Sequence, residues 1–211
     1  IALAGILLGF LADKFGRKQT IILGLSLFAL NSFLFLLGNT FSYFLSLMVI
    51  SGTAIGIFKS GALALIGDIS KSTKEHTTTM NVVEGFFGVG AIIGPFIVTY
   101  LLKSNIDWKW LYVLAGIMCI ILIVTALFVK YPATKKSNEE KVNLKASLSL
   151  LKDPFALGFS FAAFLYVSVE CAIYVWMPTL IKDYKGDAIL IATYALPIFF
   201  VLRAGGRFIG A

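Results

Sequence analysis

Charge is scarce in this sequence. Of its 211 residues 14% are charged and 59% hydrophobic, and the mean hydropathy is +0.91. A soluble chain carries about 25% charged and about 45–50% apolar side chains. A soluble domain is therefore excluded, and the apolar surplus must face lipid. Cysteine is nearly missing: Cys119 and Cys171 each sit inside an apolar run and build no CxxC, zinc spacing or disulfide framework. The single histidine, His76, lies in a polar stretch, so no metal site is expected. There is no HExxH, no serine–histidine pair and no pair of acids in one span, which makes an intramembrane enzyme the weakest reading. No cofactor is expected either. Proline is rare at 5 residues against 19 Gly and 19 Phe, so the chain is neither disordered nor collagen-like.

What is present is a series of long apolar runs. Crossing the hydrocarbon of a bilayer takes about 20 apolar residues. A partial run at 1–12 is followed by candidates at 20–37, 42–67, 82–102, 110–129 and 155–181, and a last one begins near 188. The runs do not alternate, which excludes an outer-membrane barrel. Lipid offers the backbone no hydrogen bonds, so each run is expected to be a helix of an all-α membrane protein. Both ends stop inside apolar sequence, and IALAGILLGFLA at the start lacks the basic region of a signal peptide. The chain is expected to be a piece of a longer protein.

The net charge of +7 is spread unevenly over the loops, as membrane topology and not as a nucleic-acid surface. One set of alternate loops, 13–19, 68–81 and 130–154, holds most of the basic residues, and Arg203 and Arg207 are assigned to the same side. The other side has only Lys103, Lys109, Lys182 and Lys185. The positive-inside rule makes the first side cytoplasmic. Trp108, Trp110 and Tyr112 stand where a helix re-enters on the outer side, as interfacial anchors do. The polar stretch 130–154, with a short amphipathic segment near 144–151, is the one clear linker. It separates an N-terminal group, 1–129, from a second group, 155–211. Gly5/Gly9 and Gly206/Gly210 repeat a GxxxG spacing that favours close helix packing.

Few residues carry chemistry. Glu170 lies deep in an apolar run, where an ionisable group is expensive and points to function. Tyr166 and Tyr174, one turn either side, make a Tyr–Glu–Tyr line, and Trp176 follows. Aromatic faces beside a carboxylate suit a sugar, and a desolvated carboxylate can gain and lose a proton near neutrality. The competing reading is a structural hydrogen bond to a neighbouring helix. Lys59 is also deep in its run, beside Ser60 and after Gly52 and Gly56. It is read as an ion-pair partner or as a site for an anionic solute. Asn81 and Glu84 fit an N-cap and N3 pair starting a helix. Gly90, Gly94 and Pro95 fit a helix that bends and packs.

The string Gly9-Phe-Leu-Ala-Asp13-Lys-Phe-Gly16-Arg17-Lys18 occupies a tight turn between two helices. Gly9 permits close packing, Gly16 the turn, and Asp13 and Arg17 are poised to pair. It resembles the signature loop of the major facilitator superfamily, between its second and third helices. The resemblance covers the whole chain as helices two to eight of twelve, with 130–154 joining two six-helix bundles. It implies a secondary transporter working by alternating access, with Asp68 pairing with Arg17 in a cytoplasmic gate and Lys59 facing Glu170 in the central cavity. Within that superfamily, NVVEGFFGVGAIIGP (81–95), LYVSVECAIYVWMPTLI (165–181) and GRFIGA (206–211) resemble the fucose–proton symporter family. That implies a sugar solute, a proton as coupling ion and Glu170 in the sugar cavity. Two alternatives stand: proton-driven transport of drugs or organic anions, and a transporter fold kept as a receptor or scaffold.

Overall fold

The computed structural model describes residues 5, 8, 11–131, 152–182, 184–186 and 189–211. Among them the secondary structure is helical, without a strand. The helices are α1 (Leu11–Lys14), α2 (Arg17–Leu34), α3 (Phe41–Ile69), α4 (Thr73–Lys103), α5 (Trp110–Phe128), α6 (Pro154–Lys182) and α7 (Ile189–Ile209). Four of them, α3 to α6, are long and apolar enough to cross a membrane. Their flanks leave large apolar side chains exposed, such as Phe96, Phe128, Phe155 and Phe159. Such a surface suits lipid and helix neighbours and does not suit water.

Local chemistry sets the helix ends. Gly16 precedes α2 with φ 88°, on the left-handed side that a Cβ disfavours, and this is the turn that the signature string requires. Thr40 caps α3 by accepting from the Tyr43 amide. The start of α4 corrects the sequence expectation. The helix begins at Thr73, nine residues before the apolar run, because Ser72 and Glu75 form a capping box: Ser72 Oγ accepts from the Glu75 amide and Glu75 accepts from the Lys71 amide. Asn81 and Glu84 are therefore inside α4 and cap nothing. At 31 residues α4 is about 46 Å long, more than the hydrocarbon needs. Its polar first turns, Thr73 to Thr79, are helical without being membranous. Pro95 does not end α4, which continues through it to Lys103.

The chain divides into two compact units, one of Ile1–Val82, Ile93–Asn138 and Ala211, the other of Val83–Ile92 and Glu139–Gly210. The first is built around α2, α3 and α5. Ile21, Leu25, Ala29 and Cys119 form its core, with Phe58 and Ile123 against them. The approach of α2 to α3 depends on glycine: a Cβ on Gly24 would lie 2.6 Å from the Phe58 backbone nitrogen. Buried Asn31 adds a polar rivet, donating to the Leu47 carbonyl and to Ser51 Oγ. In the second unit α7 lies on the 83–92 segment of α4 and beside α6. The linker expected at 130–154 falls almost wholly outside the described residues, as does Gly9.

Candidate functional site

In the second unit three helices converge on one guanidinium. Arg203 of α7 makes an ion pair through Nε with Glu170 Oε1 of α6, and its Nη2 donates to Glu84 Oε2 of α4 at 3.3 Å. The side chains of Arg203 and Glu170 are 8% and 7% exposed and that of Glu84 34%. The guanidinium also lies over the Phe87 ring, 5.0 Å from its centroid. Arg203 Nη1 is buried with no hydrogen-bond partner among the described residues. Two small residues bring α4 and α7 together: a Cβ on Gly88 would meet Ala204 at 2.9 Å, and one on Gly85 would meet Phe208 at 2.7 Å.

The aromatic frame is partly the expected one. Tyr174 stacks on Phe200 with centroids 5.7 Å apart and lies within interaction distance of Glu170. Tyr166 lies within interaction distance of Arg203, and Arg207 sits over its ring at 6.0 Å. Trp176 is instead on the wall of a surface cavity of about 470 Å³, with Thr179, Leu180, Tyr184 and Lys185.

Several expectations about this unit are corrected. Arg203 belongs to the site and not to a cytoplasmic loop. At 1.5 Å per residue it is about 21 Å into α7 from Ile189, while Glu170 is about 18 Å from the end of α6 at Lys182, so the two share a depth. The packing glycines are Gly85 and Gly88. A Cβ on Gly90, Gly94 or Gly206 would meet nothing within 4 Å among the described residues.

The first unit holds a second polar cluster. Arg17 Nη1 bonds Asp13 Oδ1 at 2.5 Å and Arg17 Nε bonds Asp68 Oδ2 at 2.7 Å, tying the end of α1 and the start of α2 to the end of α3. The bond to Asp68 is the main force raising the Arg17 guanidinium above its ordinary value, with burial working against it. The next residue, Lys18, donates to the carbonyls of Leu127 and Val129, satisfying the exposed C-terminal end of α5. At the opposite ends of α2 and α5, buried Lys109 Nζ donates to the Gly38 carbonyl. Beside it Phe35 stacks on Tyr112 and Trp108 packs edge-on to Phe44. Trp110 is exposed, as an anchor in the lipid interface would be. Lys59 is exposed on α3. No group of His, Cys, Asp and Glu among the described residues could hold a metal ion.

Comparison with known proteins settles the family. The family model described as Major Facilitator Superfamily matches residues 1–211. The chain belongs to that superfamily. It is thus a multi-pass membrane protein of a family whose members carry small-molecule solutes. A relative in Staphylococcus aureus (strain N315), the Quinolone resistance protein NorA, is 26% identical over 166 residues, 74% of this chain and 42% of the relative. In strain MSSA476 the protein of that name is 33% identical over 120 residues, 54% of this chain and 31% of the relative. The Protein TsgA homolog of Buchnera aphidicola subsp. Schizaphis graminum (strain Sg) is 28% identical over 187 residues, 83% of this chain and 45% of the relative. The chain spans less than half the length of these curated relatives. No solved structure matches.

Proposed function

We propose that this chain is part of a proton-coupled secondary transporter that moves a small polar solute, a sugar in the first instance, by alternating access. One observation carries the reading: Glu170, in the middle of an apolar helix, is 6% exposed and ion-paired to Arg203. An ionised pair withdrawn from water is costly to keep and is weak support for stability alone. A carboxylate in such a place suits the capture and release of a proton. Tyr166 and Tyr174 offer ring faces and hydroxyls next to it. Asp13, Arg17 and Asp68 act as the gate, with Lys18 anchoring the neighbouring helix end, closing the cytoplasmic side in one state and parting in the other. The resemblance of 81–95, 165–181 and 206–211 to the fucose–proton symporters favours the sugar.

A second reading, proton-driven movement of a drug or an organic anion, is supported by the likeness to the Quinolone resistance protein NorA. Lys59 would serve an anionic solute. Tracer accumulation in proteoliposomes of the full-length protein tests the shared core of both readings. Glu170→Gln is expected to abolish gradient-driven uptake while leaving folding and membrane insertion intact. Unchanged accumulation in that variant removes Glu170 from the mechanism.

A further inference from the structure

The second unit sets two carboxylates against one guanidinium. With Glu84 and Glu170 ionised and Arg203 charged, the cluster has a formal charge of −1. Arg203 cannot give both acids its full hydrogen-bonding fork. Its tighter contact is with Glu170, the more buried acid, which has the least water to fall back on. Glu84, one-third exposed, holds the other edge at 3.3 Å. Tyr166 of α6 lies against the same guanidinium. The guanidinium's position over Phe87, next to Glu84 on the same helix, already leans it toward α4.

We propose that Glu84 and Arg203 are positioning residues that set the proton affinity of Glu170 by competing over a single guanidinium. The idea rests on Glu170 as the proton carrier. When a proton adds to a Glu170 carboxylate oxygen, the attraction that holds Nε is lost and the guanidinium passes to Glu84. No other bond changes. Arg203 then ties α7 to α4, where Ala204 and Phe208 already rest on Gly88 and Gly85, and the ionic hold of α7 on α6 is lost. Proton occupancy of one buried acid thereby decides whether Arg203 pairs α7 with α6 as well as with α4. The other polar groups facing the cluster are Tyr174, Tyr166 and Cys171 on α6 and Arg207 on α7. Glu84 is the acid that shares the guanidinium with Glu170.

Infrared difference spectroscopy on the full-length protein in lipid, with no solute added, tests this by titrating the protonated-carboxyl band that Glu170→Gln removes. Glu84→Gln leaves Arg203 to Glu170 alone and takes away a like charge. Both effects favour the ionised form, so the midpoint is expected to move to lower pH by about one unit, a tenfold weaker proton affinity. The larger part of the shift passes through the guanidinium, and only the like-charge part survives without it. In an Arg203→Lys background, whose single ammonium has no fork to share, the same change is expected to move the midpoint by less than about a third as much. A Glu84→Gln shift that is absent, or equally large in the lysine background, overturns the proposal. A Glu170 band that does not titrate between about pH 4 and 9 overturns instead the reading of Glu170 as proton carrier.

Discussion

Arg17 shows how one residue is held from two sides with unequal force. Its side chain is 14% exposed, whereas Asp68 is 34% and Asp13 60% exposed. Water screens the Asp13 contact far more than the Asp68 contact. Asp68→Asn is expected to cost about 1–2 kcal/mol once screening is allowed for, and Asp13→Asn about 0.5 kcal/mol or less. Thermal unfolding of the two variants in detergent checks the order. Arg17 is raised above its ordinary value, so its stabilisation is fully present below that ordinary value and lost only as the pH climbs beyond it, far above neutrality. Its charge is constant through the physiological range, and any pH effect near neutrality comes from elsewhere. The polar residues of the second unit were less legible. Glu170 stood out because a lone acid interrupts an apolar run. Arg203 did not, because four residues on lies Arg207 and the pair reads as the basic border of a loop. Its distance into the helix from Ile189, matched to that of Glu170 from Lys182, is the signal that sets it level with Glu170.

At the scale of the helix, hydropathy located the spans but not their ends or contact faces. The apolar run of α4 starts at Val82, yet the helix starts at Thr73, since Ser72 and Glu75 satisfy its first amides and nothing in Thr73–Thr79 breaks it. Hydropathy registers lipid; capping registers helix, and the two need not coincide. Glycine spacing misled in the same way. GxxxG marks where a close approach is allowed, and which allowed face is used depends on the partner helix. Gly24 and Gly88 are used, and Gly90 is not among the described contacts. Gly24→Ala, with its Cβ 2.6 Å from the Phe58 backbone, is expected to destabilise by about 1–3 kcal/mol. Gly90→Ala has room, and helix propensity should make it neutral or stabilising by up to about 1 kcal/mol. Comparing melting temperatures of these two chemically identical changes separates packing from propensity. An equal loss in both would contradict the assigned contact face of α2.

For the molecule as a whole, class and family were readable from what the composition withholds and from one loop. Too little charge for a soluble domain forces the chain into lipid, and lipid forces it into helices. The string from Gly9 to Lys18 needs its glycine, acid, glycine and base in register, and α1, α2 and α3 meet at its described residues. The solute was not readable. Specificity in such a protein is assembled from side chains on several helices, and linear order does not show which of them share a cavity. The measurement that bears most directly on proton-coupled transport is external pH in lightly buffered proteoliposomes of the full-length protein. Neutral hexoses and deoxyhexoses are added in turn, then a quinolone. We predict alkalinisation on addition of a neutral sugar, abolished by Glu170→Gln. Acidification on addition of the quinolone would keep the proton coupling and move the assignment to drug export. Solute flux in the wild type without any proton movement would contradict the account.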